Sequence, residues 1–258
     1  MTAYGIVGFG RIGQRLAARL PGAVAVLTRS RAASGGDARG GARVCGDLAE
    51  FLGQRPQVVV ECASRAALAE VGPAVLAAGC DLIPLSLTAF AEPDIERRLL
   101  AAAQKGPGRL EIAPGAIGTL DLLATAREEG LARVVYRQLK PPIMWKLVRG
   151  APLDIDSTPE RTVFLRGSVR NLSHRFPDNL NTSVGVALAG LGLDRTEVEL
   201  VADPALSETA HELEVYAAPG KAVLKLGGRD VPPDGDPADY TTFSVMRLVK
   251  RRCARLAI

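Results

Sequence analysis

The sequence has few aromatic residues and no long apolar run, and each shortage excludes a class of protein. Aromatic residues make up 4% of the 258 residues, and no Lys/Arg stripe interleaved with aromatics is present, so we expect no nucleic-acid partner. No run approaches the roughly 18 apolar residues that a membrane-spanning helix needs. Because the chain enters a strand-like segment at once, without a basic leader, we expect a cytoplasmic protein with no membrane partner.

Cysteine and histidine are also scarce. Cys45, Cys62, Cys80 and Cys253 have neither C-x-x-C spacing nor a histidine at a matching distance. We therefore expect reduced, buried or half-buried thiols and no bound metal. The net charge of +4 is spread along the chain, which favours small anions as partners.

What remains is the composition of an α/β protein, with 47% apolar and 23% charged residues. Up to residue 113, strand-like and helix-like segments alternate, which predicts a parallel sheet with right-handed crossovers. In residues 114–239 the strand-like segments are longer and more polar, so we expect a second, α+β domain. A basic amphipathic helix in residues 240–258 is expected to return to the first domain.

The first thirteen residues join a strand to a helix through three glycines. Tyr4 to Val7 reads as a buried strand, and Ile12 to Leu20 as a helix. The G-x-G-x-x-G spacing between them is typical of a dinucleotide-binding turn, in which the helix N-terminus faces the pyrophosphate. A tight turn without a ligand is the alternative. The cofactor contacts that this motif predicts are Gly8, Gly10, Arg11, Ile12 and Gly13.

The second strand, Ala23 to Leu27, determines which cofactor is expected. A site that prefers NAD has an Asp or Glu near the end of this strand, but here Arg29, Ser30 and Arg31 follow it. These residues could hold the 2′-phosphate of NADP, or they could form a solvated basic loop. The sequence therefore leaves both NAD and NADP open and favours NADP.

The rest of the first domain yields further expectations. Residues 32–43 read as a mobile surface loop, and Gln57 to Cys62 as a strand whose end presents Ala63 to a nucleotide. Gly72-Pro73 is expected to interrupt a helix, because proline lacks the backbone donor. Arg109 to Ala113 reads as another strand.

His211 is the main candidate for chemistry. Strand alternation places it on the same face as Leu213 and Val215, whereas Glu212 and Glu214 face the other way. An inward-facing histidine is either a satisfied core residue or a catalytic imidazole, and spacing alone does not decide between them.

Three further polar residues precede or follow structural breaks. Lys140 stands before two prolines at a strand end, where it could bind a carboxylate or form a rigid exposed corner. Asn181 could be a helix N-cap or could offer its amide to a nicotinamide or a substrate. Asn179 lies two residues before Asn181. Lys140 and Asn179 are the two candidate substrate-binding residues.

Several motifs together resemble one known family, that of the L-aspartate dehydrogenases. The resemblance extends over nearly the whole chain, and its most specific parts are the long block after residue 176 and the later histidine. The motifs are GFGRIG at 8–13, VECAS at 60–64, PGAIGTLDLL at 114–123, KPP followed by Trp145, FPDNLNTSVGVALAGLGLDRTEVELVADP at 176–204 and HEL at 211–213.

The resemblance implies a Rossmann-type domain in residues 1–113 with 240–258, and a substrate and dimerisation domain in residues 114–239. It implies a homodimer that oxidises L-aspartate to iminoaspartate with NAD or NADP. The imine feeds NAD biosynthesis or hydrolyses to oxaloacetate and ammonia, and the reverse reaction is a reductive amination. By position, Ala116 and Asn181 are cofactor contacts and His211 is the catalytic histidine.

Two alternatives stay open. The same fold and cofactor could serve a dehydrogenase or imine reductase for another small amino acid. The chain could also be a non-catalytic dinucleotide-binding sensor that keeps the glycine turn. His211 and Asn181 argue for an enzyme, because a sensor has no need for a proton acceptor.

Overall fold

The structure is a computed structural model, and it describes residues 2–29, 37–38, 41–118, 120–128, 130–151, 158–227 and 240–256. The chain divides into two compact units. The first unit comprises residues 1–115 and 241–258, and the second comprises residues 116–240. The first unit is therefore built from both ends of the chain.

The first unit alternates strands and helices along the chain. Its strands are β1 (Tyr4–Val7), β2 (Ala23–Leu27), β3 (Asp37–Ala38), β4 (Ala42–Cys45), β5 (Val58–Glu61) and β6 (Asp81–Pro84). Its α-helices are α1 (Arg11–Arg19), α2 (Leu48–Gly53), α3 (Arg65–Ala77), α4 (Pro93–Lys105) and the C-terminal α9 (Tyr240–Arg251), and a 3-10 helix covers Leu87–Ala91.

The sheet of this unit has the order β3-β4-β2-β1-β5-β6, and all of its pairs are parallel except β3 with β4. The central strand β1 is fully buried, and α9 contributes Val245 and Val249 to the core beside it. Five parallel strands in this order form a Rossmann-type sheet, which confirms the expected fold class for this part of the chain.

The segment after β2 differs from the sequence-based expectation. A surface loop was expected over residues 32–43, but Ala42–Cys45 forms strand β4 beside β2 and Asp37–Ala38 forms β3. The prediction fails because burial of Ala42 and Cys45 against the core outweighs the loop-like composition of their neighbours. The expected mobility falls largely on residues outside those described.

Helix α3 continues through Pro73, so the expected interruption at Gly72-Pro73 is wrong. Proline at position 73 leaves the carbonyl of Ala69 without its helical donor. The guanidinium of Arg98, on α4, donates to that oxygen at 2.8 Å. Gly72 also lets α4 approach closely, because a Cβ there would lie 2.7 Å from Leu99.

The strand expected at Arg109 to Ala113 is reduced to a single bridge. Leu110 makes one parallel bridge with Leu82, and Glu111 donates its backbone N–H to the Leu82 carbonyl at 2.9 Å. The segment is held at the edge of β6 by this bridge and by Asp81, which accepts from the Arg109 backbone. The apolar pattern alone therefore overstates its pairing.

The second unit combines a mixed sheet with short helices. Its strands are β7 (Leu131–Lys140), β8 (Thr162–Ser168), β9 (Glu197–Ala202), β10 (Ala210–Ala217) and β11 (Gly220–Leu226). Its helices are α5 (Asp121–Glu128), α6 (Pro142–Lys146), α7 (Val169–Arg175) and α8 (Asn181–Ala189), and a 3-10 turn covers Gly115–Ile117.

This sheet has the order β11-β10-β7-β9-β8, and only β7 with β9 is parallel. Helix α5 packs against β7 and β10 and contacts α8, while α7 contacts β8 and β9. The unit is thus α+β, as expected. Among the residues that the structure describes, no helix is long and apolar enough to cross a membrane.

Candidate functional site

A cleft of about 590 Å³ lies at the carboxyl ends of the parallel strands of the first unit. The turn after β1 forms one wall, the end of β2 and the start of α2 form a second, and the end of β5 forms a third. Ligands of doubly wound sheets bind at this edge. Its lining includes Gly8, Gly10, Arg29, Cys62 and Ala63.

Two glycines make the turn after β1 possible. Gly8 has a φ of +96°, and a Cβ there would lie 2.7 Å from Ala63. A Cβ at Gly13 would lie 2.3 Å from the Gly8 carbonyl oxygen, so only glycine lets α1 pack this closely on the turn. Nothing lies within 4 Å of the Cβ position of Gly10, whose backbone borders open space in the cleft.

The opposite wall of the cleft is held by a buried carboxylate that the sequence did not single out. Glu61 is fully buried and accepts the backbone N–H groups of Ala63, Ser64 and Ser86, together with the Ser86 hydroxyl. Burial raises the pKa of Glu61, while these four donors oppose that shift. One side chain therefore fixes the turn after β5 and the end of β6.

Cys62 faces the glycine turn from the end of β5. Its thiol donates to the carbonyls of Val7 and Gly8, at 3.5 and 3.4 Å. Burial raises the pKa of this thiol to about 12, so it stays protonated. Cys62 is therefore a structural contact of the cleft. All four cysteines are free thiols, but Cys253 is exposed, so the expected burial is wrong for this residue.

The predicted cofactor contacts that the structure describes fall into three groups. Gly8, Gly10, Arg29 and Ala63 line the cleft. Arg11, Ile12 and Gly13 form the first turn of α1, whose leading backbone N–H groups have no helical acceptor. Ala116, in the 3-10 turn, and Asn181 belong to the second unit, and Ser30 lies outside the described residues, as does Arg31.

In the second unit, His211 lies on β10 and forms a pair with Tyr136 on β7. The Tyr136 hydroxyl and His211 Nδ1 are 2.7 Å apart, and the two rings stack with a centroid separation of 5.9 Å. Tyr136 also bonds with the side chain of Thr182, on α8, and its burial raises its pKa. The hydroxyl is thus neutral at ordinary pH, and its bond to Nδ1 helps to orient the imidazole.

The expected alternation along β10 is confirmed. Leu213 and Val215 are buried on the His211 side, whereas Glu212 and Glu214 pair with arginines on the other face of the sheet. His211 itself is half-buried, so the ring is neither fully enclosed nor free of the sheet.

Lys140, at the end of β7 in the second unit, is buried. Its ammonium donates to Asn179 Oδ1 at 3.2 Å and lies 5.0 Å above the Trp145 ring. Burial lowers the pKa of Lys140, whose residue is 8% exposed. The interpretation as an exposed corner is therefore wrong, because helix α6, which starts at Pro142 after its N-cap Pro141, places Trp145 beneath the lysine.

Asn181 is the first residue of α8 and not its N-cap. The N-cap is Leu180, which makes no side-chain hydrogen bond to the helix. The Val184 N–H donates to the Leu180 carbonyl, and this first helical bond places Asn181 inside the helix, one residue after the cap position. Asn181 therefore places its amide on the first turn of α8.

The other face of the second sheet carries a network of ion pairs centred on Arg137. Arg137 pairs with Glu199 and Glu214, and Arg161 pairs with Glu212. The bond from Tyr216, followed by those from Arg137 and Lys221, lowers the pKa of Glu214 to about 2. The two sheet faces thus have different chemistry.

Sequence reasoning missed Tyr136, Thr182, Trp145 and Glu61 as members of these sites. Each contacts a residue far away along the chain; Tyr136 and His211, for example, are 75 positions apart. A polar residue in an otherwise apolar strand was the available sign for Glu61, whereas the strand of Tyr136 is rich in polar residues and gave no such sign. Within the described part of the chain, no group of three or more potential ligand side chains is arranged to hold a metal.

Two family models match the chain. Residues 8–113 match the NAD-binding domain of homoserine dehydrogenase, and residues 121–252 match the C-terminal domain of aspartate dehydrogenase. The second match alone covers half of the chain.

Curated relatives and solved structures agree with these models. The L-aspartate dehydrogenase of Ralstonia nicotianae is 38% identical over 79% of this chain and 76% of its own. L-aspartate dehydrogenase 1 of Bordetella pertussis is 42% identical over 81% of this chain and 80% of its own. The crystal structure of aspartate dehydrogenase from Thermotoga maritima superimposes with a TM-score of 0.81 at 25% identity, covering 100% of this chain and 99% of that one.

Proposed function

We propose, from the premise that the chain belongs to the L-aspartate dehydrogenase family, that it oxidises L-aspartate to iminoaspartate and reduces NAD or NADP. The imine then hydrolyses to oxaloacetate and ammonia, and the reverse reaction is a reductive amination. The observation that carries the proposal is the Tyr136–His211 pair on the sheet face that also bears the buried Lys140.

The first unit fits a dinucleotide. Its cleft is open in front of Gly10, where a Cβ would meet nothing within 4 Å, and the unpaired N–H groups of α1 suit a pyrophosphate. Arg29, on the rim, suits a 2′-phosphate, and Ala63 borders the cleft from the other side. When bound, the nicotinamide supplies the hydride acceptor for the substrate Cα.

His211 accepts the proton that the reaction releases. Hydride leaves Cα only when the amino group is neutral, so a base must first take a proton from the ammonium. We assign a hydrogen to Nδ1, bonded to the Tyr136 oxygen, and the role of that base to Nε2; the Thr182 side chain also bonds Tyr136. In the reverse direction Nε2 returns the proton. Tyr136 is therefore a positioning residue.

Lys140 and Asn179 hold the substrate. The two contacts of the Lys140 ammonium described above, Asn179 Oδ1 and the Trp145 ring, are uncharged. A buried cation held by neutral groups gains from an anionic ligand, and L-aspartate supplies two carboxylates. Asn179 and the indole keep the ammonium in place as the ligand enters.

Asn181 and Ala116 are proposed as further cofactor contacts. Asn181 offers both a donor and an acceptor, which matches the carboxamide of a nicotinamide. Ala116 lies in the 3-10 turn of Gly115–Ile117, where exposed backbone groups can meet a ligand.

A second copy of the chain is proposed to cover the ion-pair face of the second sheet. On this face, Val163 of β8 and Val223 of β11 are apolar residues that are 39% and 51% exposed. The charged residue Glu199 of β9, in contrast, is almost fully buried. A homodimer formed through this face removes the apolar side chains from water. In sedimentation, we expect the wild type at about 54 kDa, twice the chain mass of 27.1 kDa. We expect the Val223→Lys variant to sediment as a monomer. A monomeric wild type would contradict the proposed dimer.

The function is tested by steady-state kinetics with the purified protein. L-aspartate is compared with L-glutamate, L-asparagine, L-alanine and D-aspartate, each with NAD and NADP, and oxaloacetate plus ammonia is assayed in reverse. We expect L-aspartate to give the highest kcat/KM and oxaloacetate to accumulate as product. Higher kcat/KM with another amino acid contradicts the substrate, and the absence of turnover with all of them contradicts catalysis.

Cofactor preference is tested at the rim of the cleft. Arg29→Ala is expected to weaken NADP binding about tenfold, which is about 1.4 kcal/mol, and to leave NAD binding nearly unchanged. Equal effects on the two cofactors, measured by titration of the protein with NADH and NADPH, would show that Arg29 does not read the 2′-phosphate.

A further inference from the structure

Gln138 lies on β7 between Tyr136 and Lys140, both of which have roles in the proposed function. Tyr136, Gln138 and Lys140 are alternate residues of β7, so their side chains share one face of the sheet. Gln138 is the direct cross-strand partner of His211 in the β7–β10 pair. Directly opposite residues of an antiparallel pair present neighbouring side chains, so the Gln138 amide is a neighbour of the imidazole.

The Gln138 side chain carries a buried acceptor with no partner. The residue is 6% exposed, and among the described residues its Oε1 atom receives no hydrogen bond. A buried oxygen without a donor destabilises the folded chain, and such groups are rare in native proteins. Its retention on this face is explained if a ligand supplies the donor.

The chemistry of the ligand identifies the donor. At neutral pH the two carboxylates of L-aspartate only accept hydrogen bonds, and its amino nitrogen is the one group that donates. Lys140 on the same strand suits a carboxylate, and His211 opposite takes the proton. The nitrogen is therefore the part of the substrate that an amide oxygen at position 138 can recognise.

We propose that Gln138 is a substrate-binding residue whose Oε1 accepts a hydrogen bond from the substrate nitrogen. This proposal rests on the proposed function. An amide does not take up a proton in this pH range, so Gln138 holds the nitrogen as ammonium and as amine, and it also holds the imine, which keeps one N–H. The proton itself passes only to His211. Gln138 thus orients the substrate nitrogen, and His211 deprotonates it.

The test measures two dicarboxylates, L-aspartate and succinate, on both the wild type and the Gln138→Leu variant. L-aspartate carries the amino group, and succinate has the same two carboxylates without it. We expect kcat/KM for L-aspartate to fall at least tenfold in Gln138→Leu and the inhibition constant of succinate to change less than twofold. Because Leu removes an unpaired buried oxygen, the thermal unfolding midpoint is expected to stay equal or rise.

Thr196→Val is the matched control. Thr196 is fully buried and its Oγ1 likewise has no partner among the described residues, but it precedes β9 and is not part of the proposed site. Its replacement is expected to leave the kinetics with L-aspartate unchanged and the midpoint equal or higher.

Three results overturn the assignment of Gln138. Parallel weakening of L-aspartate and succinate would show that Gln138 only shapes the pocket, and unchanged kinetics would show that it makes no contact. A loss of activity together with a lower unfolding midpoint would make its role structural. Failure of the proposed function is recognised separately, because it appears in the wild type as absent turnover of L-aspartate.

Discussion

The two units build their sites in opposite ways. In the first unit the cleft is shaped by backbone: two glycines allow the turn and the close helix, and Glu61 holds the opposite wall through backbone donors. In the second unit the site consists of side chains on one sheet face, chiefly His211, Tyr136 and Lys140. A backbone site is encoded in a short stretch of sequence, whereas a side-chain site depends on how distant strands pair.

Replacement of His211 tests the contrast between the two units most strongly, because the proposed proton transfer depends on this side chain of the second unit. His211→Ala is expected to lower kcat with L-aspartate by about 10²–10⁴-fold, the usual worth of a general base. Cofactor affinity, measured by NADH titration, is expected to stay unchanged, since the glycine turn is intact. His174→Ala, which removes the other, exposed histidine, serves as the control and should retain full turnover. Full turnover in His211→Ala removes this residue from the mechanism.

A pair of glycine variants tests the backbone character of the first unit. Gly13→Ala brings a Cβ within 2.3 Å of the Gly8 oxygen and is expected to lower the free energy of unfolding by about 1–3 kcal/mol and to abolish cofactor binding. Gly10→Ala meets no atom, so stability should be kept while cofactor binding weakens at least tenfold. Thermal unfolding and NADH titration distinguish the two effects. Unweakened binding in Gly10→Ala would show that no phosphate approaches this residue.

Tyr136→Phe tests whether the sheet orients the imidazole. Loss of the hydroxyl removes the Nδ1 partner at 2.7 Å but keeps the stacked ring. The worth of one hydrogen bond, about 1 kcal/mol, predicts a fall in kcat of about five- to tenfold, with KM nearly unchanged. The pH profile of kcat is expected to shift as well, because the tautomer is no longer fixed. A change in KM alone is inconsistent with a positioning role.

The smallest expected effect concerns acid stability. Bonds from Tyr216, Arg137 and Lys221 lower the pKa of Glu214 from its usual 4.5 to about 2, so its charged form stabilises the folded state. This stabilisation is complete above about pH 4.5 and is lost as the pH falls toward 2. In chemical denaturation at a series of pH values, Glu214→Gln should be less stable than wild type at pH 6, and the difference should shrink below pH 4. A constant difference contradicts the linkage.

The sequence predicted the features that depend on neighbouring residues. The glycine turn, the fold class and the cofactor type followed from a local pattern and from the family resemblance, and the comparisons with known proteins confirm them. The continuous helix through Pro73 was not predictable, because its missing donor is replaced by Arg98 from another helix. The single bridge at Leu110 likewise depends on a neighbour in space.

The candidate site of the second unit was predictable only in part. The face on which His211 lies followed from alternation, since a strand has a period of two. Tyr136 and Gln138 were not found, because their roles arise from the pairing of β7 with β10, which the sequence does not state. The position of Lys140 was found, but its burial over Trp145 of α6 was not.

The place of Trp145 makes the second unit observable by light. It is the one tryptophan of the chain, it is fully buried, and its indole N–H donates to the Val201 carbonyl at 2.8 Å beneath the Lys140 ammonium. Tryptophan emission from this protein therefore originates entirely beside Lys140, which is proposed to bind a substrate carboxylate. Titrations with dicarboxylates can be followed in the unlabelled chain, without an engineered fluorophore.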